Sequence, residues 1–327
     1  MSTGSLGAPD EVTATDRRNR QRLVIGLVNN MPDAALQTTE QQFGELLGTA
    51  GTAYDIRLRL FSFPELIRGE AGGAYVASHY EPIEALWSSA VDGLIVTGAE
   101  PRTDALPDEV YWRSLARLVD FAKETETPTV WSCLAAHAAV LHLDGIERER
   151  LPEKISGLFR CAKRSHGALM AGLPATWRVP HSRLNTLDPA RLSAAGYEIV
   201  SFSNEAGVDT FISEQRALFV FYQGHPEYDA SALYREYRRD VGRFLAGTTE
   251  HYPDMPRQYF DDETSRSLEA FRARAQCQRT PDVLDDFPAS AARQRPSLWR
   301  DVAIRLYRNW LTAVVDCKPS LPERALR

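Results

Sequence analysis

Three residues in this chain have types and spacing that could carry nucleophilic chemistry. Cys133 lies in VWSCLAAHAAVLHL (130–143), where a β-branched run gives way to an alanine-rich, helix-forming one. His225 and Glu227 lie in FVFYQGHPEYD (219–229), an apolar run that ends at Gly224 and then presents a base and, two residues later, a carboxylate. A thiol at a helix N-terminus meets unpaired N–H groups, whose partial positive charge favours the thiolate. Alanines at 135, 136, 138 and 139 let such a helix start close against a strand, as a sharp strand-to-helix elbow requires. A histidine within reach takes the thiol proton, and a carboxylate behind it holds the imidazole in the useful tautomer. The three together read as nucleophile, base and orienting group. Taken singly they read more plainly, as a buried structural cysteine and as a surface histidine beside an acid. A second strand end, in VTGAEP (96–101), supplies backbone: N–H groups at Gly98 and Ala99, with that of Leu134, could form an oxyanion hole, while Gly98 alone reads as a strand terminator.

These residues need a scaffold that collects strand ends. RLVIGLVNN (22–30) is a β-branched strand stopped at Met31-Pro32, and Gln37 to Leu47 carries apolar residues at helical intervals. IRLRLFSF (56–63) alternates like a half-buried strand, EPIEALWSSA (81–90) is helical in pattern, and GLIVTG (93–98) is a fully apolar strand. Asp108 is placed to cap a helix from Glu109 to Lys123, and TPTVWS (127–132) is another buried strand. Strands alternating with helices predict an α/β fold, a mostly parallel sheet with helices on both faces and ligands at the carboxyl ends of the strands. From about 150 to 225 the rhythm changes. YEIVSFS (197–203), VDTFISE (208–214) and ALFVFYQ (217–223), separated by short turns without room for helices, predict an antiparallel extension. A helix from Ala230 to about Leu245, a Pro-, Asp- and Arg-rich passage, and an amphipathic helix near Trp299 to Val315 complete the order.

Composition narrows the partners. With 327 residues, 43% hydrophobic and 25% charged, the chain has globular composition. A net charge of −6 argues against nucleic acid or an anionic membrane surface, both of which need a clustered positive field, and favours small-molecule substrates. Cys133, Cys161, Cys277 and Cys317 form no CxxC pair, so neither a metal site nor a disulfide framework is read, and a reducing cytoplasm fits. No stretch approaches a membrane span. Residues 1–22 read as a disordered leader, 23–316 as a single domain and 317–327 as a C-terminal tail.

The sequence also resembles a known family. Asn29-Asn30-Met31-Pro32, GLIVTGA (93–99), Tyr111-Trp112, WSCLAAHAA (131–139), Lys154-Ile155-Ser156-Gly157, Pro180-His181-Ser182-Arg183, GHPEYD (224–229), REYRRDV (235–241) and NWL (309–311) occur in the order found in homoserine O-acyltransferases of the transsuccinylase type. These belong to the class I glutamine amidotransferase-like, flavodoxin-like superfamily. The resemblance implies a ping-pong enzyme of methionine biosynthesis, a homodimer with no bound cofactor. Acyl-CoA, as co-substrate, acylates Cys133, and the acyl group passes to the homoserine hydroxyl. His225 is then the base and Glu227 its partner, Arg239 holds the homoserine carboxylate, and Ser182 and Arg183 line the same pocket.

Two departures bear on substrate. Family members usually carry a lysine just after the Met-Pro, near the acyl site; here Asp33 stands there, and the first lysine in the chain is Lys123. In the loop after GLIVTGA, the fifth residue influences donor choice, small for succinyl and acidic for acetyl. Here Arg102 fits neither pattern, but its guanidinium would suit the free carboxylate of a succinyl group and favours succinyl-CoA. Three functions stay open on the sequence: acyl transfer to homoserine, a glutamine amidotransferase-like amidase, and a non-catalytic relative with a binding role.

Overall fold

The computed structural model describes residues 20–318 except 89, 216 and 293–296. Nine strands form one sheet. In chain order they are β1 (Gln21–Val28), β2 (Tyr54–Phe61), β3 (Gly93–Val96), β4 (Thr129–Ser132), β5 (Glu149–Lys163), β6 (Thr176–Thr186), β7 (Glu198–Ser203), β8 (Gly207–Ser213) and β9 (Phe219–Tyr222). Their spatial order is β2-β1-β3-β4-β9-β8-β7-β5-β6. The first five in that order run parallel, and from β9 onward every pairing is antiparallel. The expected parallel sheet with an antiparallel extension is therefore present.

The helices follow as α1 (Leu36–Ala50), α2 (Glu70–His79), α3 (Glu84–Trp87), α4 (Trp112–Glu124), α5 (Leu134–Asp144), α6 (Pro189–Ala194), α7 (Ala232–Leu245), α8 (Asp262–Cys277) and α9 (Arg300–Asp316). Strand residues alternate between two cores, which is why the central strands read as unbroken apolar runs. Val96 and Trp131 pack with α4 and α5 on one face, whereas Ile95 and Val130 pack with α1 and α9 on the other. A smaller apolar cluster holds α7 and α8 together through Val241, Phe244, Leu268 and Phe271.

Several expected elements change. Asp108 does not cap α4: it closes a 3-10 turn at Leu106–Asp108, and the helix begins three residues later than expected, after Tyr111. The helix expected over 81–90 shrinks to the four residues of α3. Between 150 and 225 there is room for one helix, α6, which Asp188 caps by accepting from Ala190 N at 2.8 Å. The passage after α7 contains α8, capped by Asp261. Of the expected leader, residues 1–19 lie outside the described residues, while Gln21 and Arg22 already belong to β1. Of the expected tail, 319–327 lie outside them, and Lys318 is tied back to Asp92 at 2.9 Å. Among the described residues no helix is long and apolar enough to cross a membrane.

Candidate active site

β4 pairs with β9 so that Ser132 stands opposite Tyr222, and both strands end there. The register alone therefore brings Cys133 and the Gln223–Glu227 turn to one place. Cys133 is the N-cap of α5 with φ 52° and ψ −110°, in the region that L-residues avoid. Its N–H donates to the Tyr222 carbonyl at 2.7 Å, which fixes the elbow against β9. The side chain is partly exposed, as a nucleophile needs.

His225 is held from two sides. Its backbone N–H donates to the Pro180 carbonyl at 2.8 Å, and its Nδ1 lies 2.8 Å from Glu227 Oε1. Its ring stacks on Tyr228 with centroids 4.2 Å apart and faces the Cys133 sulfur closely enough to feel its charge. Glu227 is 4% exposed and accepts from Ser132 Oγ at 3.3 Å. Burial pushes the imidazole down, but the Glu227 carboxylate and the Cys133 sulfur outweigh it and hold His225 well above the ordinary histidine value. The cysteine, histidine and glutamate singled out in the sequence thus form one contact set.

Gly98 closes the third side. A Cβ there would lie 2.6 Å from Leu134 Cβ and 3.1 Å from Leu134 N, so only glycine lets the end of β3 touch the start of α5. Gly98, Ala99 and Leu134 line one narrow cavity together with Asn30 and Thr97. The Leu134 N–H is among the first four of its helix, which have no intrahelical partner.

The residues expected to bind substrate divide. Ser182 on β6 donates to Glu236, which also accepts from Tyr228 OH at 2.5 Å. Arg239 lies one turn further along α7, paired with Asp240 at 2.9 Å and close to Glu236. Arg183 does not join them. Neighbouring residues of a strand point to opposite faces, and the Arg183 guanidinium is 4% exposed, donating to the carbonyls of Asn185 at 2.6 Å and of Ala206. Its assignment to the substrate pocket is corrected: each of its three guanidinium nitrogens donates to a partner inside the protein. Arg102 is exposed and its guanidinium has no partner among the described contacts, while its backbone N–H is taken by the buried Glu109 carboxylate at 2.6 Å.

Sequence reading missed Glu236, Lys154 and Arg243. Lys154 pairs with Asp240 at 2.7 Å, and Arg243 ties Glu100 of the loop after Gly98-Ala99 to α7 at 2.6 Å. For Glu236 and Arg243 the signal was the helical spacing of Glu236, Arg239, Asp240 and Arg243, a charged stripe that reads as a solvated face until β5, which carries Lys154, and β6 are placed against it. Asp33, standing where the resemblance expects lysine, accepts from Gly69 N at 2.7 Å and pairs with Arg68 at 3.0 Å. That fills its carboxylate within the loop between β2 and α2.

A second cysteine, histidine and carboxylate set, Cys161, His181 and Asp209, converges in the interior. It does not fit a nucleophile. Cys161 is fully buried and burial pushes its thiol far above the usual range. Nor do its donors suit a cation: Arg183 Nε donates to His181 Nδ1 at 3.4 Å, which leaves Nε2 to carry the proton 3.2 Å from Asp209 Oδ1.

Comparison with known proteins places this geometry. The model of a family described as homoserine O-succinyltransferase matches residues 9–320. The homoserine O-succinyltransferase of Methylorubrum extorquens is 48% identical over 316 residues, covering 96% of this chain and 92% of its own. That of Rhodopseudomonas palustris is 48% identical over 324 residues, with 96% and 97% covered. Among solved structures, a glutamine amido transferase from Methylobacillus flagellatus superposes with a TM-score of 0.50 at 15% identity, over 90% of this chain and 96% of its own, a likeness of fold.

Proposed function

The chain belongs to the homoserine O-succinyltransferase family, and from that premise we propose that it moves a succinyl group from succinyl-CoA to the hydroxyl of homoserine through an acyl-cysteine at Cys133. The observation that carries this reading is the contact set of Cys133, His225 and Glu227 at the paired ends of β4 and β9. His225 takes the Cys133 proton, and the sulfur attacks the thioester carbonyl. Negative charge then develops on the carbonyl oxygen, where the N–H groups of Leu134 and of the Gly98-Ala99 segment stabilise it. Coenzyme A leaves as its thiol with the proton from His225. In the second half, the homoserine hydroxyl gives its proton to His225 and attacks the acyl-cysteine, releasing O-succinylhomoserine and restoring the thiol.

Homoserine carries an ammonium and a carboxylate, and α7 offers one complement to each. Glu236, bridged through Tyr228 to the His225 ring, suits the ammonium, and Arg239 suits the carboxylate. The uncommitted Arg102 guanidinium is the candidate partner for the succinyl carboxylate. The same reading places the enzyme in a reducing cytoplasm as a homodimer, with acyl-CoA as a co-substrate rather than a resident cofactor.

Intact-protein mass spectrometry after mixing with succinyl-CoA tests the proposal. One succinyl adduct on Cys133, discharged by homoserine, is expected; no adduct, or ammonia release from glutamine instead, overturns it.

A further inference from the structure

Arg183, removed from the substrate pocket, lies with His181 and Asp209 against the turn that carries His225. Arg183 sends its Nε to His181 Nδ1 at 3.4 Å, and His181 Nε2 faces Asp209 Oδ1 at 3.2 Å. Asp209 Oδ2 accepts from Ser201 and, at 2.9 Å, from Thr210. One cation and one anion are thus joined by an imidazole, all three at most 4% exposed. Three consecutive residues of the His225 turn rest on this network. Gln223 N–H donates to the Asp209 carbonyl at 2.8 Å, and His225 N–H donates to the Pro180 carbonyl at 2.8 Å. Between them, a Cβ on Gly224 would lie 2.6 Å from Asp209 Oδ1 and 2.9 Å from His181 Nε2. No side chain fits there, so the backbone of the turn lies directly on the Asp209 carboxylate and the His181 ring.

We propose that Arg183, His181 and Asp209 are positioning residues for the Cys133–His225 pair, a buried network of cancelling charges that seats the Gln223–His225 turn and whose balance sets the protonation of the pair. The inference rests on the reading of Cys133 as nucleophile and His225 as base.

The surrounding charges decide what each deletion does. Glu227 faces His225 from its own turn, and Glu236 on α7 reaches it through Tyr228. Cys133 faces it from the end of β4 and His181 from β6, while Arg183 on β6 faces Cys133 and Asp209 on β8 faces His181. Burial keeps His181 below its ordinary value despite Asp209, so the ring stays neutral. Burial raises Asp209, but the adjacent His181 imidazole and hydrogen bonds from Ser201 and Thr210 outweigh it and hold the carboxyl below its ordinary value. Removing Arg183 therefore leaves an unmatched anion behind Cys133, and removing the Asp209 charge leaves an unmatched cation. In a poorly screened interior each acts at range on the thiol.

The test is the pH profile of Cys133 alkylation by iodoacetamide, read on the Cys133 peptide so that the exposed Cys277 and Cys317 do not contribute. Arg183→Met should move the acid midpoint up and Asp209→Asn should move it down, each on the order of one pH unit. The double variant Arg183→Met/Asp209→Leu should return to within a few tenths of a unit of wild type. Shifts of the same sign, or none in folded protein, overturn the proposal, because loss of packing alone has no reason to reverse sign. Where a single variant does not fold, Arg183→Lys and the double variant carry the test, since both keep the net charge. Each should show the wild-type midpoint with kcat lowered about tenfold and KM unchanged. A displaced midpoint or an undiminished kcat in both overturns the proposal. Wild-type Cys133 reacting no faster than Cys277 would overturn instead the nucleophile reading beneath it.

Discussion

Cys133 is one of three described non-glycine residues with positive φ, together with Glu126 and Gln258, and it alone of these begins a helix at a strand end in contact with a histidine. Such strain costs on the order of 1–3 kcal/mol and persists where the surroundings over-determine it. The Tyr222 carbonyl and the Gly98–Leu134 approach do so here. Cys133→Ser should therefore keep the fold, by circular dichroism, and lose turnover by more than about a thousandfold, since a hydroxyl is far harder to ionise. Cys161→Ser should leave turnover within about twofold; the reverse outcome would move the nucleophile to the interior set. A second prediction uses the sign of the His225 shift. Its folded value is raised, so the stability that the Glu227 carboxylate lends through it is fully present below the unfolded value of about 6.5 and is lost as pH rises through the folded value. Urea unfolding of Glu227→Gln should show its largest deficit against wild type at pH 6 and a smaller one at pH 9.5, and His225→Ala should cost more kcat than Glu227→Gln. A deficit that grows with pH would mean that Glu227 does not act through the histidine.

Elements differ in how openly the sequence declares them. The central strands were legible because burial on both faces leaves no polar interruption, and GLIV, TVWS and FVFY each end just before a residue of the site, Gly98, Cys133 and His225. The Cys133 and His225 turns were legible for the same reason. β5 and β6 were not seen. Arg150, Pro152, Glu153 and Lys154 interrupt any alternation in β5, and its register against β6 shifts between Arg150 and Ile155. Without that hairpin Arg183 could not be assigned a face. α2 was missed because Gly72 and Gly73 are poor helix formers; Gly72 leaves room for the Asp33 carboxylate, which a Cβ there would meet at 2.2 Å. A comparable demand in β5 gives a third prediction. Gly157 has φ +142°, and a Cβ would lie 2.4 Å from the Arg257 carbonyl oxygen and 2.5 Å from its nitrogen, both backbone. Those two backbones hydrogen-bond each other through Leu158 N at 2.9 Å and Arg257 N at 2.9 Å. Gly157→Ala should destabilise by about 2–4 kcal/mol, as backbone incompatibility with overpacking does. Chemical denaturation reads this, and a loss below about 0.5 kcal/mol would show that the strand can move aside.

At the scale of the molecule, the chain crosses its own sheet to seal it. α9, nearly the last described element, packs with α1 beneath β1, and Trp310, Leu311 and Val314 are wholly buried with Leu23, Ile25 and Leu27. Trp310 also meets the start of β3, its ring 3.1 Å from where a Gly93 Cβ would stand. The catalytic loops leave from the opposite end of that strand, beyond Val96, three residues and roughly 10 Å away at the usual rise of a strand. Packing and chemistry are therefore separable along β3. Trp310→Ala should cost about 3–5 kcal/mol, the scale of an aromatic lost from a core, and lower Tm by on the order of 10 °C. Its kcat per folded molecule, measured well below that transition, should stay within about twofold of wild type. Calorimetry and an active-site titration of Cys133 with succinyl-CoA read the two quantities independently. A stable variant with collapsed kcat would mean that α9 acts on the site directly, through Tyr307 stacked at 6.1 Å on Tyr222, whose carbonyl holds the Cys133 elbow.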